Sequence, residues 1–555
     1  MIVWLASLWV VNPAGNFPLN DDWSFGLTVQ HLLKNGDFQP LGWAAMPQIT
    51  NTLWGSLFCL PTGFSFTALR ISTLAAAWLA LVGAYLLMRQ LRQPPCLALL
   101  AAITLAANPI FYALSNTFMT DVPFIPLMLF AAIFFVKYLR DDSRLAFILG
   151  TMLALASVLS RQVGLAVPLA FGVVLILQRG FSWRTILRAV TPAALCLTAL
   201  LGFEHWMAAT GRLPALYNFQ NTHLLKIVGH PAKLAGVLAN SIYLSLMYLG
   251  LFLSPVLLTT LPTLKTLCAD RKLARAGWVF GALAMLTLAH GLCGKGFLMP
   301  MAGNILNETG IGPLTLRDIF ILHINQVPVL PTAFWAAVTF ISLCGATALA
   351  MQLSSITISL VPRLRLTKPN DDECAGIFLL LVCAIYMLPF LVAGFLDRYL
   401  IPIIPFLAAG ILSISLSAQP AAFKPGFRLP ALLLAGFALF SLCGTRDYLM
   451  WNRVRWQALD ELMKQKVPPS DIDGGFEFNG YYLYRPNYPV NPEKSSWWVE
   501  NDTYLLSFQK IPSLTVLHEY PYAHWMPPYH GRIYVLEKQP DVISTTTNTS
   551  VAPQK

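Results

Sequence analysis

Long apolar runs recur along the whole chain, in blocks of about 17–25 residues, the length needed to cross roughly 30 Å of hydrocarbon. A backbone in lipid must satisfy its own hydrogen bonds, so such runs fold as helices. They are placed near 1–12, 68–88, 95–112, 122–138, 144–159, 162–178, 187–204, 236–262, 276–293, 332–353, 375–393, 399–417 and 429–443. The sequence therefore predicts an all-α polytopic membrane protein with about 13 transmembrane helices. Composition agrees: 56% of residues are hydrophobic and 11% are charged, where a soluble chain carries about 25% charged residues.

The net charge of +11 would point to nucleic acid in a soluble protein. Here the cations fall mainly in short turns between spans, so they read as orientation signals and no nucleic-acid partner is expected. One alternate set of loops holds Arg89 and Arg92; Lys137, Arg140 and Arg144; Arg179, Arg184 and Arg188; Lys265, Arg271, Lys272 and Arg275; Arg363, Arg365 and Lys368; Lys424 and Arg428. These loops read as cytoplasmic. The longer, cation-poor loops between them, and everything after about 444, read as outside. A plasma (inner) membrane protein with an extracytoplasmic C-terminal region follows. The nine cysteines are scattered along the chain, none after Cys443, with no CxxC or zinc spacing. The first apolar run is short and lacks a basic n-region and a convincing small-residue cleavage site for a signal peptide, and reads either as a clipped first helix or as a mis-called start.

Three regions are expected: a transmembrane domain over 1–443 with a first extracytoplasmic loop at 13–67, an α+β extracytoplasmic domain over 444–544, and a disordered tail over 545–555. In the second region, Asp447 to Lys466 has apolar residues at helical spacing (Leu449, Val454, Leu459, Leu462), and Pro468-Pro469 ends it. Beyond it, Phe476-Glu477-Phe478, Tyr481 to Tyr484, Tyr504 to Phe508 and Arg532 to Leu536 read as strands.

Polar residues of chemical interest gather at the outside ends of the spans. Asp21 and Asp22 open the first loop. Asp121 lies in Met119-Thr120-Asp121-Val122-Pro123, where a loop enters a span. Arg70 begins the second span, Arg161 lies in a tight turn, and Arg398 precedes Tyr399-Leu400-Ile401-Pro402. Arginine suits phosphate because its planar fork makes paired, charge-assisted contacts. A nearby carboxylate is suited to taking a proton from an attacking hydroxyl. The same residues also fit plainer roles. Each aspartate is a good helix N-cap, and each arginine is able to snorkel to the interface. Of the nine histidines, His205, His223, His230, His290 and His323 have no ligand spacing.

In this order, and on one face, these residues resemble the GT-C superfamily of membrane glycosyltransferases. The nearest branch is the bacterial protein-mannosyltransferase-like and aminoarabinose-transferase-like one, which uses polyprenyl-phosphate sugars. The resemblance covers about residues 1–440. It runs through the acidic pair, a loop helix from Trp23 to Lys34, Gly36-Asp37, Met46-Pro47, Leu53-Trp54 and Leu69-Arg70-Ile71-Ser72. It continues through Met119 to Pro123, Ser160-Arg161-Gln162-Val163-Gly164 and Arg398 to Pro402. It implies Asp21 as general base, Asp22 as its support, and Asp121 as a second acidic site that organises the donor. Arg70, Arg161 and Arg398 would hold the lipid phosphate. The partners implied are a polyprenyl-phosphate sugar, membrane lipids and an extracytoplasmic acceptor: a glycolipid, an envelope glycan or a protein. Many relatives carry Asp-Glu at the acidic pair, and a Lys-Pro or Pro-Pro where this chain has Met46-Pro47. No cofactor is certain. A divalent metal shared by Asp21 and Asp121 is one option, but no complete ligand set is visible. Three other classes fit an outside-face membrane protein, one of them a non-catalytic scaffold that would tolerate loss of Asp21 and Asp121. A lipid-linked glycan flippase would want charges deep within its spans. An O-antigen ligase or polymerase would want a late outside loop rich in Arg and His.

Overall fold

The structure is a computed structural model. It describes residues 2–217, 229–260, 303–324, 329–366, 368–418, 426–486 and 498–538, with isolated positions at 227, between 278 and 293, and at 488. The chain is mostly helical, with a small sheet region near its C-terminus.

Among the described residues, nine helices are long and apolar enough to span a membrane. They are Phe66–Gln90, Asp121–Asp141, Gln162–Arg179, Trp183–Ala209, Pro231–Thr259, Thr332–Ile358, Asp371–Ala393, Asp397–Ile414 and Arg428–Lys464. A tenth is formed if Pro95–Ala106 and Pro109–Ser115 count as one span bent by 67°. The bend falls where Asn108 caps the second piece, its side chain accepting from Ile110 and Phe111. Of the other runs read as spans, Ile2–Val11 is a 10-residue helix and Arg144–Ser160 a 17-residue one. The run at 276–293 is described only at scattered positions.

Local chemistry marks many of the helix starts. Ser65, Ser143 and Ser182 cap theirs through their hydroxyls, and Asn370 with Glu373 forms a capping box. The spans then pack by small residues. A Cβ on Gly250 would lie 2.1 Å from the backbone N of Ala346, and one on Gly345 would lie 2.1 Å from the carbonyl O of Gly250. Pro231–Thr259 and Thr332–Leu366 thus touch backbone to backbone, the close approach that glycine permits inside a membrane.

The polar loops sort onto two faces. On one, Arg140 bonds Asp372 and the Gln90 carbonyl, Gln178 bonds Asp371, and Arg179 pairs with Asp142 at 2.8 Å. These are loops grouped by their basic charge in the sequence. The candidate site residues occupy the other face.

The C-terminal region differs from its sequence reading in two ways. The helix of the last span does not end near 443; Arg428–Lys464 runs unbroken for 37 residues through that point. No proline or glycine pair interrupts it before Pro468-Pro469, so the amphipathic segment simply extends the apolar one. Residues Phe476–Leu483, read as strand, form a helix instead. Its aromatics do not alternate between two sides of a sheet but pack as a helix face against the first loop. β1 Leu306–Asn307 and β2 Gly310–Ile311 pair as a small hairpin, and a four-stranded sheet has the order β3-β4-β6-β5, with β3 Ile472–Asp473, β4 Tyr504–Ser507, β5 Thr515–Trp525 and β6 Pro528–Glu537. β4 and β6 match strand readings; β5 and β6 pair antiparallel from Thr515–Glu537 to Trp525–Pro528. The tail at 545–555 lies outside the described residues.

Candidate active site

The loop helix Asp22–Asn35 begins one residue after Asp21 and ends at Gly36, whose φ of 74° closes the last turn. Asp21 occupies the cap position, but its side chain makes no capping bond. Its carboxylate turns away instead. Oδ1 accepts from Trp43 Nε1 at 3.0 Å, and Oδ2 accepts from both Nη1 and Nη2 of Arg398 at 3.3 Å.

Asp121 starts the span Asp121–Asp141 and is likewise not used as a cap. Oδ1 accepts from Arg161 Nη1 at 2.7 Å. Arg161 also donates to Thr120 Oγ1 at 3.1 Å. Oδ2 faces Arg398 Nε at 4.0 Å, and neither of these two buried atoms has a hydrogen-bond partner. Arg398 therefore stands between the two carboxylates. The Arg161 and Arg398 guanidiniums lie over the Tyr399 ring, 5.2 and 5.5 Å from its centre. The side chain of Asp21 remains 18% exposed, against 2% for Asp121. The reachable carboxylate is thus Asp21.

The other two predicted residues stand apart from this group. Arg70 is fully buried, and its guanidinium donates to the carbonyls of Pro13, Gly15 and Phe17. It lies 4.5 Å over the Phe17 ring. It holds the first loop by its backbone. Asp22 is also fully buried; it accepts from the Leu19 N–H and, at 3.1 Å, from the Phe118 N–H. Burial pushes its carboxyl up to about 7, against the pull of Arg70 and the two N–H donors. Asp22 thus ties the first loop to the chain before Asp121, and Arg70 ties the start of that loop to its own span.

Several contributors were not foreseen. Trp43 supplies a donor to Asp21 and joins an aromatic cluster with Trp23, Phe476 and Trp498. Glu477 Oε1 accepts from the backbone N–H of Asn20 at 3.1 Å, and its Oε2 pairs with Arg455 Nη1 at 2.9 Å. Thr315 Oγ1 donates to the same Oε2 at 2.6 Å. Arg455 and Glu477 are both wholly buried. Asn20 has a left-handed φ of 55°, so this bond fixes a bend immediately before Asp21. Asp397 accepts from the N–H groups of Ile305 and Leu306, which anchors the hairpin Leu306–Ile311 beside Arg398. A warning was present in the sequence: Arg455 and Glu477 are charges set among apolar neighbours.

Among the described residues, no three His, Cys, Asp or Glu side chains converge as a metal set. Between Asp21 and Asp121, where a shared cation would lie, the Arg398 guanidinium already stands. The residues present do not fit a divalent ion. An apolar cavity of about 170 Å³ lies between helices and is lined by Trp54, Leu79, Pro123, Pro126 and Phe130, with Pro123 two residues after Asp121 in the chain. Asn51 and Ser160 stand at its polar side, and their buried side-chain polar atoms have no partners.

Residues 52–207 match the dolichyl-phosphate-mannose-protein mannosyltransferase family. That segment contains Arg70, Asp121 and Arg161. The glycosyltransferase resemblance drawn from the sequence is borne out there. Among solved structures, the chain is similar to ArnT from Cupriavidus metallidurans in the apo state, at 12% identity and a TM-score of 0.38, covering 96% of this chain and 97% of that one. It is also similar to the same enzyme bound to undecaprenyl phosphate, at 13% identity and a TM-score of 0.39, covering 100% of this chain and 99% of that one. A third is the oligosaccharyltransferase AglB from Archaeoglobus fulgidus, in complex with an inhibitory peptide and a dolichol-phosphate. It is 16% identical with a TM-score of 0.40, covering 89% of this chain and 60% of that one. No curated protein matches the chain.

Proposed function

We propose that this protein is a membrane glycosyltransferase that moves a sugar from a polyprenyl-phosphate carrier to an acceptor at the extracytoplasmic face of the plasma membrane. The observation that carries the reading is Arg398, held between an accessible carboxylate, Asp21, and a buried one, Asp121. A site for this reaction needs a base, a cationic grip on a leaving phosphate, and a fixed geometry. Asp21 is the base: it takes the proton of the acceptor hydroxyl as that oxygen bonds to the anomeric carbon. The carbon–oxygen bond to the phosphate breaks in the same displacement, and the phosphate leaves with the electron pair. Arg398, with Arg161 beside it, receives the phosphate charge. Donor binding draws Arg398 from Asp21 toward phosphate, which frees Asp21 to act.

Asp121 holds Arg161 in place, and the apolar cavity lined by Pro123 suits the first units of the lipid tail. Asp22 and Arg70 act through the backbone of the first loop rather than on substrate. The match of residues 52–207 to a sugar-transferring family supports the reaction class. The test is sugar transfer by the purified chain in vesicles, with a panel of polyprenyl-phosphate sugars and extracted envelope acceptors. Transfer from at least one donor is expected. No transfer, with a panel that includes the native donor, would overturn the proposal.

A further inference from the structure

The long helix Arg428–Lys464 carries a stripe toward lipid. Leu432 and Leu439 on it are exposed, at 68% and 63%. No charge occurs from Leu429 to Thr445; Arg446 and Asp447 then follow directly. Arg446 is two helical turns beyond Leu439 on the same stripe, about 10 Å along the axis. The helix therefore leaves the hydrocarbon at Arg446 and Asp447.

The tip of the C-terminal hairpin is fastened at this level. Asp447 accepts from the backbone N–H groups of Trp525 and Met526 at 2.9 Å, and lies 3.2 Å from His524 Nδ1. The Arg446 guanidinium lies 4.4 Å over the Trp525 ring and donates to the Ala523 carbonyl at 2.5 Å. Farther from the membrane, Tyr520 donates to Glu461 at 2.6 Å. These two attachments set the direction: strand β5 runs down the helix with its Trp525 end toward the bilayer. At the tip, Trp525 and Tyr529 are 44% and 47% exposed.

We propose that this hairpin tip is a lipid-contacting foot, which seats the C-terminal region in the headgroup layer of the bilayer that the chain spans. The occupant follows from continuity. The tip prolongs the exposed apolar stripe of the helix, and Trp and Tyr are the side chains that favour the membrane–water boundary. Arg446 is placed as a snorkelling cation, its stem along the helix and its head over Trp525. This goes beyond the catalytic reading and does not depend on it.

The test uses the full chain in lipid nanodiscs. A photoreactive p-benzoylphenylalanine replaces Trp525, or Leu517 about 26 Å back along the strand, or Leu439 as a hydrocarbon control. Each variant is first required to be monodisperse with the parent melting temperature; Tyr529 replaces Trp525 as the tip position if that variant fails. After irradiation, lipid adducts are counted by mass spectrometry. The expected result is an adduct at the tip at least tenfold above that at Leu517. An adduct at Leu439 with none above the Leu517 level at the tip would overturn the proposal. So would a tip adduct formed with another protein chain in place of lipid.

Discussion

Arg398 binds Asp21 through both terminal nitrogens, each 3.3 Å from Oδ2, although 377 residues separate them in sequence. The fork is planar, and its third nitrogen points at Asp121. Lysine has the charge but not the fork. Arg398→Lys is therefore expected to keep the fold while losing about 100-fold or more in transfer rate, the scale of one lost charge-stabilising donor. Rates in vesicles, with melting temperature as the control, check this. A Lys variant of near-parental rate would remove the fork from catalysis.

The bond from Asn20 to Glu477 reaches the same site from the C-terminal region. Glu477→Ala leaves the wholly buried Arg455 without its carboxylate and frees the Asn20 N–H. Removing one member of a buried pair costs about 3–5 kcal/mol. A clear fall in melting temperature is expected. Glu477→Gln, which keeps an acceptor for Asn20, is expected to fold better than the alanine variant. Chemical or thermal denaturation in detergent measures both.

How much of this was legible depends on the range of the interaction. The order and approximate places of most spans follow from composition, because hydrocarbon permits little besides apolar helix. The grouping of Asp21, Asp121, Arg161 and Arg398 on one face followed from counting span ends. Which of the predicted residues meet did not follow from it. Arg70 stands at the start of a span like the others, yet its guanidinium turns to the carbonyls of Pro13, Gly15 and Phe17. No spacing rule reports that choice. The segment Phe476–Leu483 misled for another reason: aromatics favour strands on average, but here Phe476 packs on Trp23 and Phe478 on Trp456, contacts made across the tertiary fold.

The buried Asp22 carboxyl gives a signed pH effect. Burial raises it from 3.8 to about 7 in the folded chain. Between those values the folded chain keeps a proton that the unfolded chain has released. Its contribution to stability is full below about 4, falls as pH rises toward 7, and is flat above. Asp22→Asn removes this slope. The amide presents one oxygen to two N–H donors, so the variant is also expected to be less stable by about 1–3 kcal/mol. Melting temperatures of both proteins from pH 4 to 8 compare the slopes; parallel curves would contradict the shift.

Gly480 leaves room for the ring that shapes the first loop. A Cβ there would lie 2.4 Å from Trp23 Cε2. Trp23 is fully buried and packed on Trp43, Phe476 and Trp498, so it has no free space to yield. Gly480→Ala is expected to cost about 1–3 kcal/mol by overpacking. Because Trp43 touches both the cluster and Asp21, a drop in transfer rate is expected with it. A stability scan beside a rate measurement separates the two effects.

The most direct test of Asp21 as base compares the parent with Asp21→Asn in vesicles holding saturating donor. Donor binding and sugar transfer are followed separately. Asparagine keeps the shape but cannot take the proton, so binding is expected to persist while transfer falls about 100-fold or more, the weight of a positioned general base. Equal transfer by both proteins would contradict Asp21 as the base.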